Sequence, residues 1–187
     1  MNNSKWITSR ENRSYAAAFL LILSLCAIVL SVFGGHNYSS DGYVIDVAIQ
    51  TIKDFDNNAK WYVQSYRFTA ALIAYLTSLV KHNPITNSTP DIIFLCLSLA
   101  ACVTMLSAKA VRNIKFTPLN LCAVSIAVLL TFFNVGYCDV LSFPEMILNM
   151  AAGTLLVTIA ILFSTSEHSV FKFLISVASL TLATGCI

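Results

Sequence analysis

Apolar runs of membrane length recur along this sequence and restrict its fold more than any other feature. Residues 15–33 form the first, 19 positions without a charged side chain. A helix needs about 20 mostly apolar residues to cross a hydrocarbon core of about 30 Å. Similar runs cover residues 92–108, 119–133 and 146–163, and another begins at Val170. Only 11% of the chain is charged, where a soluble domain carries about 25%. The class is therefore an integral membrane protein, and the lipid bilayer is its first partner. A net charge of +2 is too small to point to nucleic acid.

The first run is not a signal peptide. It exceeds the apolar length of such segments, and Val32-Phe33-Gly34 is a poor cleavage site. Lys5, Arg10 and Arg13 precede it, and residues 35–52 carry no cation. Positive charge stays on the cytoplasmic side, so the N-terminus is expected there and the following polar stretch on the opposite face.

The run at residues 68–80 decides the topology. As a helix it is about 20 Å long, short of a full crossing. If it spans fully, with the N-terminus inside, the chain has six spans. Only Lys5, Arg10, Arg13 and Lys81 are then cytoplasmic, and the cluster Lys109, Arg112, Lys115 lies outside. If it is a half-helix that returns to the same side, five full spans remain. The cytoplasmic cations are then Lys5, Arg10, Arg13, Lys109, Arg112, Lys115 and Lys172. The charge rule favours the half-helix and keeps six spans as the alternative. The expected fold class is all-α, a polytopic membrane helical bundle. It forms a single transmembrane domain over residues 1–187, with an outer loop over residues 35–90. The last run ends on TGCI without a polar tail, the pattern expected of the N-terminal part of a longer protein.

The outer loop holds most of the polar chemistry. Within residues 43–55, Val44, Ile45, Ala48, Ile49, Ile52 and Phe55 share one helical face. Asp46, Gln50, Lys53 and Asp54 share the other. This predicts an amphipathic interfacial helix lying in the membrane surface. The segment WYVQSYR follows, an aromatic cluster suited to the headgroup layer. The cysteines at 26, 96, 102, 122 and 186 lie in apolar runs and read as small hydrophobes. Neither cysteines nor histidines are spaced as metal ligands, so no metal and no cofactor is expected.

These loop residues suit sugar transfer from a lipid-phosphate donor. An acceptor hydroxyl must lose a proton as it attacks the anomeric carbon, and a carboxylate can take it. Asp41 is the first candidate base and Asp46 the second. An arginine grips the leaving phosphate bidentately and a lysine neutralises it, roles open to Arg67 and Lys60. Trp61, Tyr43 and Tyr66 offer aromatic faces to a sugar ring. A second outer loop, NVGYCDVLSFPE, carries Asp139 and Glu145 as acceptor-side candidates. Each residue also has a structural role open to it. Asp41 can cap the amphipathic helix, Arg67 can snorkel, and the aromatic residues can anchor the interface.

The order of features resembles the serotype-converting O-antigen glucosyltransferases, polytopic proteins of the C-type glycosyltransferase class. The resemblance covers residues 10–165. It lies in SSDGY after the first span, WYVQSYR ending in an arginine, a short apolar helix, the turn NPITNSTPD and the later loop NVGYCDVLSFPEM. Where the family shows paired adjacent acids, this chain has Asp41 alone, with Asp46 farther on. The resemblance implies a polyprenyl-phosphate-linked sugar donor, often glucose, and a polysaccharide acceptor in lipopolysaccharide. It also implies a bacterial inner membrane with the main loop periplasmic. Asp41 would be the family acid, and Arg67 the arginine heading the short helix. Two other classes stay open on the residues alone. One is a non-enzymatic polytopic membrane protein, a translocase or accessory subunit. The other is a polysaccharide polymerase or ligase.

Overall fold

The computed structural model describes residues 3–33, 67–80, 82, 87–112, 116–133, 144–165 and 169–186. Every regular element among them is helical: α1 Asn3–Phe33, α2 Phe68–Leu79, α3 Thr89–Arg112, α4 Pro118–Phe132, α5 Pro144–Ser164 and α6 Val170–Thr184. The all-α helical bundle is thus observed. The amphipathic helix expected at residues 43–55 lies outside the described residues.

Among the described residues, three helices contain stretches long and apolar enough to cross a membrane: Glu11–Val32, Thr89–Val111 and Met146–Ser164. The helices expected as full spans from residues 119 and 170 have 15 residues each, about 22 Å. Pro118 opens α4 at a position where a missing N–H costs nothing, and Thr117 caps it by accepting from the Asn120 N–H at 3.1 Å. α1 continues N-terminally through its basic segment instead of starting at Tyr15.

α1, α3, α4 and α5 share one core. Ala18, Ile22, Cys26 and Leu30 recur every fourth residue on α1 and are buried, while Leu20, Leu21, Ile28 and Val32 face outward. An apolar helix with both inward and outward apolar faces is what a lipid environment permits. Ile22, Cys26 and Leu30 join Leu95, Leu99 and Val103 of α3, Leu129 of α4 and Ile147 of α5. A second layer holds Ala18, Val111 and Leu121, with Tyr15 and Phe116 meeting edge to face at 5.6 Å.

These layers fix the directions. The start of α1 lies beside the end of α3 and the start of α4, so α1 and α4 both run antiparallel to α3. Cys102 Sγ donates to the Thr154 carbonyl and Lys109 Nζ to the Leu162 carbonyl, so α3 and α5 run parallel. Ser176 Oγ donates to the Ala160 carbonyl, and a Cβ on Gly153 would meet Cys186, so α6 runs antiparallel to α5. The bundle therefore has two distinct ends. Lys5, Arg10, Arg13, Lys109, Arg112 and Lys172 all belong to one, the basic end. Asp91, in the first turn of α3, marks the other.

The short helix α2 occupies half the bundle's height. At its base Thr69 Oγ1 donates to the Leu182 carbonyl at 2.6 Å, and the Ala70 N–H donates to the Gly185 carbonyl at 3.0 Å. Gly185 follows α6 and lies next to Cys186, which packs near Gly153 in the middle of α5. α2 thus starts at mid-height, head to tail on α6, and rises to the Asp91 end. Because α1 and α3 are antiparallel, the end of α1 and the start of α3 lie at the same end of the bundle.

Candidate functional site

Of the residues singled out in the outer loop, Asp41, Tyr43, Asp46, Lys60, Trp61 and Tyr66 lie outside the described residues. So does Asp139, and the side chain of Glu145. Arg67 is described. It stands immediately before α2, half-buried, and its carbonyl accepts from the Ala71 N–H at 2.9 Å. Among the described residues it is the one Lys or Arg outside the basic end. The junction beside it is closely fitted. A Cβ on Gly185 would lie 2.8 Å from Thr69 Oγ1 and 3.1 Å from the Thr69 nitrogen. The two short helices meet there because position 185 carries no side chain.

Asn149 lies on the same face of α5 as Gly153, one turn nearer the Asp91 end. It is 4% exposed, and its Oδ1 has no hydrogen-bond partner among the described residues. A buried carboxamide oxygen without a partner costs about 1–3 kcal/mol. It provides an acceptor at roughly the height where α2 begins.

At the upper end of α2 a second constellation forms. His82 Nε2 lies 2.9 and 3.0 Å from the two carboxylate oxygens of Asp91. Asp91 is 4% exposed, and the His82 side chain 18%. An ionised carboxylate only accepts, so Nε2 is the donor, and a neutral ring keeps Nδ1 as an acceptor. The first-turn position of Asp91 also places its charge against the positive end of the α3 dipole. The His82 N–H donates to the Thr77 carbonyl at 3.0 Å, which folds the chain back at the top of α2. The pair therefore ties the tip of α2 to the head of α3.

Sequence reasoning placed His82 and Asp91 in a turn and gave them no role. The one signal available was an acid in the first turn after Ser88-Thr89-Pro90, preceded by a histidine across a proline-containing turn. No protein family, no curated protein sequence and no solved structure matches this chain.

Proposed function

We propose that the chain is a membrane glycosyltransferase that moves a sugar, glucose by the resemblance, from a polyprenyl-phosphate donor to a surface polysaccharide. The observation that carries this reading is the position of Arg67. An ionisable side chain placed partway down a membrane bundle marks a functional site by default. Arg67 also follows directly on the polar stretch that contains the candidate acids. That stretch connects the end of α1, at the Asp91 end, to the base of α2 at mid-height. In this reading the Asp91 end faces the periplasm, and the basic end faces the cytoplasm of a bacterial inner membrane, as the charge rule requires.

The roles follow from chemistry. Asp41 accepts the proton of the attacking acceptor hydroxyl, with Asp46 as the second carboxylate. The bond between the anomeric carbon and the phosphate oxygen breaks, and the polyprenyl phosphate leaves with the electron pair. Arg67 and Lys60 hold its oxygens. Trp61, Tyr43 and Tyr66 stack on the sugar.

Asp41→Asn is expected to abolish sugar addition to the surface polysaccharide, with protein level and membrane insertion unchanged. Normal modification in that variant would overturn the assignment. Head-to-tail half-helices at mid-height favour one second reading, a translocase subunit, because discontinuous helices of this kind hold transported solutes. In that case Asp41→Asn is silent and Arg67→Gln is not.

A further inference from the structure

We infer that the cleft between the C-terminal ends of α3 and α5 binds an anionic phospholipid. The cleft has a volume of about 710 Å³ and is lined by Met105, Leu106 and Lys109 of α3, and by Ile161, Leu162 and Thr165. The cleft is open along the side of the bundle, as a lipid site must be. Its walls divide by height. Met105 is 51% exposed and lies one turn deeper in the bundle than Lys109, and Ile161, 41% exposed, stands level with Lys109. They offer an apolar track for an acyl chain. Lys109 is at the rim, where its Nζ donates to the Leu162 carbonyl at 2.9 Å. This bond fixes the ammonium at the cleft and uses one of its three N–H donors.

Charge selects the headgroup. α3 and α5 are parallel, so both helices bring a C-terminus here, each with a partial charge of about −0.5. Against these stand the full charge of Lys109 and that of Lys172 at the start of α6, level with the end of α5. Lys5, Arg10 and Arg13 of α1 belong to the same end. The cations outweigh the dipoles, so a phosphate is favoured and a lone cationic headgroup is not. A soluble phosphate would leave the apolar walls uncovered. A lipid fills both parts at once, and basic pockets between membrane helices are suited to anionic headgroups. The sequence shows Lys109 and Arg112 only as topology signals, because the cleft exists through the parallel packing of two helices far apart in the chain.

The test is native mass spectrometry of the full chain in detergent, with phosphatidylglycerol and phosphatidylcholine of identical acyl chains. Wild type is expected to retain phosphatidylglycerol about tenfold more tightly. Lys109→Gln should remove that preference while leaving phosphatidylcholine unchanged. Met105→Trp fills the apolar track without altering charge and should lower retention of both lipids. Inorganic phosphate in excess should not displace the lipid. Equal retention of the two lipids by wild type overturns the proposal, as does full displacement by phosphate. Should Lys109→Gln fail to fold, unchanged lipid retention in Met105→Trp overturns it instead.

Discussion

The core formed by α1, α3, α4 and α5 and the column formed by α6 and α2 are built on different principles. In the core, side chains from all four helices interdigitate in layers, and residues such as Leu95, Leu99 and Val103 are fully buried. In the column α6 packs along α5, with Ser179, Ala183 and Cys186 buried, whereas α2 is held mainly by polar bonds at its two ends: Thr69 and Ala70 to the end of α6, His82 to Asp91. Along its length Leu72, Leu76, Leu79, Leu174 and Leu180 stay exposed. In lipid there is little hydrophobic drive between helices, so packing and hydrogen bonds carry association. The core and α6 use the first, and α2 the second. The regions should therefore respond differently to loss of volume and to loss of a bond.

The largest contrast is between two leucines. Leu99→Ala opens a cavity in the shared core and is expected to lower unfolding stability in mixed micelles by about 2–5 kcal/mol. Leu76→Ala removes the same atoms from the exposed face of α2 and should change it by less than about 0.5 kcal/mol. Similar losses at both sites would break the distinction. Gly185→Ala comes next. The added Cβ meets Thr69 at its side chain and its backbone, and overpacking of this kind costs about 1–3 kcal/mol. Protease accessibility near residue 67 should rise while the core keeps its protection. A uniform loss across both regions would show that the column is not a separate unit. Thr69→Val is the smallest change. It removes the bond to the Leu182 carbonyl at nearly constant volume and is expected to cost about 1 kcal/mol. No change in unfolding stability would mean that the Ala70–Gly185 bond holds the junction alone.

Much of the fold was legible because the bilayer restricts what a chain can do. The spans expected at residues 92–108, 119–133 and 146–163 lie within α3 and α5 or match α4 to a residue at each end. The cores of α3 and α5 were visible as uncharged runs. Their extensions were not, since Asp91 and Arg112 read as loop polarity until the helices were seen to run through them. The candidate site was legible only as a list of suitable residues. Of that list the structure describes Arg67, and it adds His82, Asp91 and Asn149, whose significance comes from neighbours distant in sequence.

The sequence by itself determined the class, the helices and the sorting of cations, because length, hydropathy and charge act locally. It expected a half-helix at residues 68–80 from charge counting but left six spans open. Tertiary structure shows a 12-residue helix in that run, α2. It sets the buried stripe of α1 antiparallel to α3. The same packing brings Gly185 against Thr69, and His82 against Asp91. No local pattern encodes those meetings, because each depends on how whole helices stack.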